Sequence, residues 1–353
     1  MLEPCSILLI ILSLLSNKNY KMENRTRICI VGAGAMGTSL GNALAMKPEL
    51  EVTLLSIEED VVDSINKNHI NEKYFPSTLL TWRLKATTDV KVLSQHLFVF
   101  MAIPSATIFE YIENYKGLFN PDVVLINLSK GLSGDKHYTI AESLQANTPF
   151  KIATFKGPTF ARELIINMPT AFTVGAKDVE LFQVFKGMVQ GTCIHLDYST
   201  DLRGVELLSI LKNIYAIALG IVDAQYDSPN LRFLFLTKAF TEMRAILIKF
   251  EGKKKTLFKY CGYGDFGLTA LNDLSRNRTL GLLIGKGFYS ETSSGLVLEG
   301  KKAIDIFSKM IEDDAIDEEY TIIQELNKVL SGQYDIANFI HQILIDQDAI
   351  LVD

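Results

Sequence analysis

The sequence predicts an α/β protein with a doubly wound, mainly parallel sheet in its N-terminal part and an all-α C-terminal part. A glycine-rich turn follows the first strand pattern, and short strands rich in β-branched residues then alternate with helical patterns. After about residue 203 the strand patterns stop, and long helical patterns continue to the end of the chain. We therefore expect an α/β domain over residues 22–203 and a helical domain over residues 204–353.

Composition and charge narrow the classes of protein. The chain has 353 residues, of which 48% are hydrophobic, enough for two domains with substantial cores. A formal net charge of −6 gives no bulk electrostatic reason to expect nucleic acid or an anionic membrane as a partner. The cysteines lie far apart without metal-ligand spacing, at Cys5, Cys29, Cys193 and Cys261. This pattern fits a reducing compartment, and we expect a cytoplasmic protein.

The N-terminus carries an apolar run, SILLIILSLL, over residues 6–15. The run has the length of a signal-peptide core, but it is too short to span a bilayer and no basic residue precedes it. Met22 begins a stretch typical of a cytosolic start just before a first strand. We interpret residues 1–21 as an extension produced by an early translation start; a membrane-associating extension and a targeting peptide are the alternatives. No stable membrane span is expected.

The motif GAGAMG lies between a strand pattern and a helix pattern, as a Rossmann dinucleotide fingerprint requires. Gly32 permits the tight turn, Gly34 lets the backbone approach a pyrophosphate, and Gly37 allows close packing of helix on strand. The phosphates would lie at the helix N-terminus, beside Ala35 and Met36. The alternative is a glycine-rich turn of another α/β fold.

The second strand, EVTLLS, is followed by acidic residues and no arginine. Glu58 lies close to the spacing at which an acid binds the adenosine ribose, which favours NAD over NADP. The alternative is that Glu58, Glu59 and Asp60 open the next helix, where they suit its positive end. NAD is therefore the expected cofactor, with NADP the less favoured choice.

Two lysines stand out. Lys130 directly follows the strand VVLINLS, and ligands of doubly wound sheets bind at strand carboxyl ends; a solvated loop lysine is the alternative. Lys212 lies on a thin polar stripe of the apolar helical stretch 205–224, with Asn213 beside it. Burial would lower its pKa toward the range of a general base; the alternative is a surface lysine on a core helix.

The stretch from residue 261 to 281 combines glycines around Asp265 with the sequence SRNR. Ser275 resembles a helix N-cap, with Arg276 and Asn277 in the first turn. Backbone N–H groups, the helix dipole and a guanidinium group suit a phosphate. A capped surface helix with incidental arginines is the alternative.

Together these motifs resemble the NAD-dependent glycerol-3-phosphate dehydrogenase family over nearly everything after Met22. The matching segments include GAGAMG, NEKYFPS, NLSKGL, KGPTFARELIINMPTAFTVG, VELLSILKNIYAIALGI and GYGDFGLTALNDLSRNR, whereas FLFLTKAFTEM is a looser match. The resemblance implies a Rossmann domain followed by a helical domain like that of 6-phosphogluconate dehydrogenase.

The resemblance also implies roles for individual residues. It implies catalytic roles for Lys212, Lys130, Asp265 and Asn213. It implies substrate contacts for Lys130, Gly157, Thr159, Thr269, Ser275, Arg276 and Asn277. It implies cofactor contacts for Gly32, Gly34, Ala35, Met36, Gly37, Phe109, Lys130, Ala161, Arg276 and Glu299. No metal ligands are expected.

The implied activity is the NAD(H)-dependent interconversion of dihydroxyacetone phosphate and sn-glycerol 3-phosphate, supplying phospholipid synthesis. We expect a cytoplasmic homodimer without a nucleic-acid partner. A related β-hydroxyacid or ketopantoate-type reductase is the first alternative, and a catalytically silent NADH-binding regulator is the second.

Overall fold

The computed structural model describes residues 25–133, 139–272, 274–288, 303–309, 321–332 and 336–344. The chain divides into two compact units whose boundary lies between Leu202 and Arg203. Unit 1 comprises the described residues 25–133 and 140–202, and nearly all of unit 2 lies from residue 203 onward.

Unit 1 contains one eight-stranded sheet. Its strands are β1 (Thr26–Val31), β2 (Leu50–Leu55), β3 (Lys85–Thr87), β4 (Phe98–Met101), β5 (Val124–Asn127), β6 (Lys151–Lys156), β7 (Thr170–Ala176) and β8 (Ile194–Ser199). Their order is β3-β2-β1-β4-β5-β6-β7-β8. All neighbouring strands pair in parallel except β6 and β7, which are antiparallel. The predicted doubly wound, mainly parallel sheet is confirmed.

Both faces of this sheet are covered. Ile28 and Ile30 of β1 belong to one hydrophobic cluster, whereas Cys29 and Val31 belong to another. Because successive side chains of a strand point to opposite faces, a strand buried on both faces is apolar along its whole length. The covering helices are α1 (Ala35–Ala45), α2 (Glu59–Asn68), α3 (Ile108–Tyr115), α4 (Ile140–Asn147), α5 (Ala161–Leu164) and α6 (Val179–Val189).

From residue 203 onward, all regular secondary structure of unit 2 in the described residues is helical. Its helices are α7 (Leu202–Gln225), which begins at the last residue of unit 1, α8 (Pro229–Lys249), α9 (Asp265–Leu271), α10 (Arg276–Gly285), α11 (residues 303–309), α12 (Thr321–Leu330) and α13 (Ile336–Leu344). Within the described ranges, α7 alone has the length and hydropathy of a membrane span, but 94% of its apolar window is buried inside the protein. It is therefore a core helix.

Glycines set the packing of α7 against α10. A Cβ on Gly220 would lie 2.3 Å from the carbonyl oxygen of Arg278, and one on Gly281 would lie 2.0 Å from that of Ile217. The two backbones are therefore too close for any side chain at these positions. Asp223 of α7 accepts hydrogen bonds from Arg278 (2.8 Å) and from Arg232 of α8 (2.9 Å), which ties three helices together.

Candidate active site

The glycine turn after β1 has the geometry that a dinucleotide phosphate needs. Gly32 has a φ of +106°, and a Cβ there would lie 2.7 Å from the carbonyl oxygen of Ala102. A Cβ on Gly37 would lie 2.0 Å from the carbonyl oxygen of Gly32. By contrast, a Cβ on Gly34 would meet only open space, and no side chain caps α1 at this position. The positive end of α1 is therefore open to an anion at Gly34.

A buried amide holds this turn in place. Asn71 is fully buried, and its Nδ2 donates to the carbonyl oxygen of Ala33 (2.9 Å) and to Oγ1 of Thr38 (2.8 Å). Thr38 donates to the same carbonyl at 3.0 Å. The backbone of the turn is therefore fixed by its own protein contacts, which reduces the entropy lost when a ligand binds. The motif NEKYFPS contains Asn71, but its spacing alone did not reveal this contact.

The acidic residues after β2 have two different positions. Glu59 and Asp60 lie in the first turn of α2, as the helix-opening alternative expects. Glu58 precedes the helix, and its carboxylate accepts a hydrogen bond from Lys73. Since this ion pair does not by itself assign a ligand, the ribose role of Glu58 stays a prediction.

A small cavity lies where β5 and β6 end. Residues predicted for substrate and cofactor line it together: Met36, Lys130, Gly157 and Thr159. The remaining wall consists of Leu128, Phe155, Lys156 and Phe172. The fold thus brings residues far apart in sequence to the carboxyl edge of the sheet, where doubly wound proteins bind ligands.

The sequence patterns did not point to Lys156, the buried lysine of this cavity wall. Its side chain is almost fully buried, and its ammonium group donates to the carbonyl oxygens of Asn127 (3.0 Å) and Ser129 (2.5 Å). These two carbonyls belong to the backbone that leads from β5 to Lys130. Lys156 therefore fixes the path of the chain directly before Lys130. The sequence feature that could have identified it is a lysine at the end of an otherwise largely apolar strand.

The segment that follows β6 is anchored to its neighbours. Gly157 packs against backbone, because a Cβ there would lie 2.2 Å from the carbonyl oxygen of Ala171. Oγ1 of Thr159 donates to the same carbonyl at 3.1 Å. The carbonyl of Ala161 accepts a hydrogen bond of 2.8 Å from Ser39 of α1. The motif KGPTFARE is therefore a rigid connection between the sheet and the helix of the glycine turn.

Unit 2 contains a buried ion pair. Lys212 of α7 is 4% exposed, and its ammonium group donates to the Asp265 carboxylate and to Oγ1 of Thr269 at 2.7 Å. Asp265 is 1% exposed and is the first residue of α9, directly after a π-helical turn over Tyr260–Gly264. The expected burial of Lys212 is confirmed, and the carboxylate is the partner that a buried ammonium requires.

The predicted phosphate cluster is a capped helix. Ser275 is the N-cap of α10, and its hydroxyl accepts a hydrogen bond from the N–H of Arg278 at 3.3 Å. Arg276 is exposed, Asn277 is half-buried, and Arg278 is buried in its ion pair with Asp223. The two arginines therefore have different environments: Arg278 joins helices, while the guanidinium of Arg276 is open to a ligand at the helix N-terminus.

Three further predicted residues are half-buried: Phe109 on α3, Ala35 at the start of α1 and Asn213 on α7. Glu299 and residues 1–21 lie outside the described residues. Within the described ranges, no group of three His, Cys, Asp or Glu side chains could hold a metal ion.

A glycine turn with an open helix N-terminus and a lysine held by a buried carboxylate are what a nicotinamide-dependent oxidoreductase of small hydroxy compounds needs. The fold and these two sites define the class of dinucleotide-dependent dehydrogenases. Residues 27–182 match the model of the NAD-dependent glycerol-3-phosphate dehydrogenase N-terminus, and residues 201–341 match that of its C-terminus. The chain belongs to the NAD-dependent glycerol-3-phosphate dehydrogenase family.

Individual relatives agree with this assignment. The chain is 33% identical to glycerol-3-phosphate dehydrogenase [NAD(P)+] of Methanothermobacter thermautotrophicus over 81% of its length and 88% of the relative's. It is 29% identical to the Agrobacterium fabrum protein of the same name over 91% and 97% of the two chains. The crystal structure of glycerol-3-phosphate dehydrogenase from Coxiella burnetii has a TM-score of 0.82 at 28% identity and covers 92% and 100% of the two chains.

A ketopantoate reductase from Ralstonia eutropha has a TM-score of 0.56 at 14% identity over 90% of this chain and 99% of its own, which shows a shared fold alone. The family match therefore favours the dehydrogenase over the reductase and the silent regulator. The protein is an NAD-dependent oxidoreductase, and the names of its relatives include NADP as a cofactor.

Proposed function

We propose that Lys212 is the general acid and base of the reaction that interconverts dihydroxyacetone phosphate and sn-glycerol 3-phosphate. The observation that carries this proposal is the buried ammonium group held by Asp265 and Thr269. Two fixed partners orient a lysine whose flexible stem would otherwise sample many positions. The lysine is therefore preorganised for proton transfer.

The chemistry needs one proton at a defined atom. When bound, NADH supplies the hydride that reduces the carbonyl carbon. The carbonyl oxygen then gains negative charge, and the Lys212 ammonium stabilises this charge and donates a proton to give the hydroxyl group. In the oxidative direction the neutral amine accepts that proton. The Asp265 carboxylate stabilises the ammonium form, and the Thr269 hydroxyl holds the group in position.

The remaining site residues divide into three tasks in this proposal. The glycine turn, with Ala35 and Met36, binds the pyrophosphate of the cofactor, to which Phe109, Ala161 and Glu299 are also assigned. Arg276 and Asn277 bind the substrate phosphate, supported by the exposed guanidinium at the capped start of α10. Lys130, Gly157, Thr159 and Asn213 complete the polar surroundings of the substrate.

The base assignment is tested with Lys212→Met, because methionine keeps the length of the side chain and removes the charge. We expect kcat with dihydroxyacetone phosphate to fall about 100-fold or more, since a positioned acid or base contributes a factor of this order. NADH binding, followed by the fluorescence of the nicotinamide, should stay within about twofold of wild type. The matched control is Lys286→Met at an exposed position of unit 2. Residual activity near that of the control contradicts the assignment.

The phosphate assignment is tested with Arg276→Lys, which keeps the charge but loses the planar fork. We expect KM for dihydroxyacetone phosphate to rise roughly tenfold, because bidentate phosphate binding is lost. Arg244→Lys, at an exposed position of α8, is the control. An unchanged KM would remove Arg276 from the substrate site.

We also infer that the enzyme works in the cytoplasm as a homodimer and supplies glycerol 3-phosphate for phospholipid synthesis. The widely spaced cysteines and the burial of the apolar helix α7 support the cytoplasmic location. Analytical ultracentrifugation tests the dimer, and a strain that needs external glycerol after the gene is deleted tests the supply of phospholipid precursors.

A further inference from the structure

The region from residue 229 to 263 has a charge opposite to that of the whole chain. It contains eight lysines and arginines against two glutamates, which gives a net charge of +6 in a protein whose total is −6. One of the two glutamates, Glu242, is buried, and the other, Glu251, pairs with Arg203. Among the cations, Arg232 pairs with Asp223, which lies outside this region. The exposed side chains of Arg244, Lys254 and Lys255 therefore give this surface a positive charge, although the bulk charge suggested no anionic partner.

The same region exposes large apolar side chains. On α8, Phe233 is 61% exposed, Leu234 is 47% exposed and Ile248 is 40% exposed. Phe233, Arg244 and Ile248 are spaced so that they lie along one face of this helix. A surface helix normally turns its apolar residues inward, so these exposed apolar side chains indicate an interaction surface.

The turns after α8 extend this face. Phe258 is 75% exposed and Tyr263 is 67% exposed, and their rings lie 5.9 Å and 5.7 Å from the ring of Phe240 on α8. The helix and the turns therefore form one continuous aromatic cluster. Lys254 and Lys255, both exposed, precede Phe258 in the first of these turns. We call the outward side of α8 with residues 254–263 the basic face.

We propose that the basic face docks the protein reversibly on an anionic lipid membrane. Lysines and arginines beside exposed aromatic and aliphatic side chains are the combination that binds the charged headgroups and the boundary of the acyl chains. A second copy of the chain related by a twofold axis would bring two equally positive faces together, which like charges oppose. A single-stranded nucleic acid would use the aromatic rings for stacking but leave Leu234 and Ile248 without a role.

The proposal is independent of the assigned reaction, because the basic face includes none of the proposed catalytic or binding residues. Its sequence also includes the segment FLFLTKAFTEM, the looser match to the family's motifs. The binding is peripheral: no part of the basic face spans a bilayer.

The test is co-sedimentation of the full-length protein with lipid vesicles. We expect the protein to sediment with vesicles of phosphatidylcholine mixed with phosphatidylglycerol, and to stay in solution when the vesicles contain only phosphatidylcholine. High salt should release the bound protein from the mixed vesicles. The double substitution Lys254→Gln and Lys255→Gln should weaken the binding about 30-fold, because each lysine near an anionic surface contributes to affinity. Phe258→Ser should weaken it at unchanged charge.

Matched controls lie in unit 1. Leu79 is 74% exposed, almost as exposed as Phe258, and Lys177 is an exposed lysine. Leu79→Ser and Lys177→Gln should bind vesicles like the wild type, and all variants should keep dehydrogenase activity. Equal binding to neutral vesicles, or equal losses in the controls, overturns the proposal. It is also overturned if Phe258→Ser only dissociates an oligomer, or if the protein prefers single-stranded nucleic acid to the vesicles.

Discussion

Glu242 should make the stability of unit 2 depend on pH. This residue of α8 is 5% exposed, and its carboxylate accepts hydrogen bonds from the N–H groups of Ile322 (2.8 Å) and Ile323 (3.0 Å) at the start of α12. The hydroxyl of Tyr215 donates to it at 3.0 Å. Burial raises the pKa of Glu242 from 4.5 to about 7, although the three hydrogen bonds oppose this rise.

The sign follows from proton binding. Between pH 4.5 and about 7 the folded protein holds a proton on Glu242 that the unfolded chain releases. The free energy of unfolding therefore falls as pH rises through this window and levels off above it. A pKa rise of this size corresponds to about 3 kcal/mol. Glu242→Gln abolishes the titration and costs roughly 1–3 kcal/mol, because glutamine offers one acceptor oxygen to the two N–H groups.

The assay is urea unfolding of wild type and Glu242→Gln, followed by circular dichroism at about pH 5 and about pH 8. The free energy of unfolding of the wild type minus that of Glu242→Gln should decrease by about 3 kcal/mol from the lower pH to the higher. Glu180→Gln, at an exposed position, is the control whose difference from wild type should stay nearly constant. If the difference for Glu242→Gln is also constant across this range, the reasoning is refuted.

Three further predictions concern a packed glycine, a buried lysine and a buried cysteine. Gly220→Ala should lower the free energy of unfolding by about 1–3 kcal/mol in thermal unfolding, because its Cβ would clash with the carbonyl oxygen of Arg278. The control is Gly267→Ala, which should not lower stability, because its Cβ has no neighbouring atom within 4 Å. Lys156→Met removes the donor to the carbonyls of Asn127 and Ser129, so kcat/KM should fall. Lys156→Arg keeps a donor and should retain part of the activity. An equal loss in both variants would indicate a packing defect instead. Cys29, whose pKa burial raises to about 12, should react with iodoacetamide only after unfolding, and rapid labelling of the folded protein would contradict this.

Local patterns were enough to predict the sheet. The central strands β4, β5 and β7 are buried along their whole length and form nearly continuous apolar runs, as strands covered on both faces do. The short strand β3 (Lys85–Thr87) was not predicted, because its three residues alternate polar and apolar side chains and form a strand only by pairing with β2. The antiparallel pairing of β6 with β7 likewise depends on contacts that no local pattern encodes.

At the site too, local patterns predicted some features of the helix that carries Lys212, whereas others depend on contacts distant in sequence. The thin polar stripe on an apolar helix predicted burial of the lysine, and the motif around Asp265 supplied a candidate partner. The hydrogen bonds that join Lys212 to Asp265 and Thr269 span more than fifty residues of sequence. Only the packing of α7 against α9 could establish them.

By itself, the sequence determined the fold class, the glycine turn, the capped helix at Ser275 and the family, because each depends on residue types at short, fixed spacings. The tertiary structure decided the roles of residues whose partners are distant in sequence. It placed Lys156 on the backbone before Lys130, assigned Arg278 to Asp223 and left Arg276 open, and gathered lysines and aromatic rings on the basic face. The physical reason is that a hydrogen bond, an ion pair or an exposed surface depends on which side chains the folded backbone brings together.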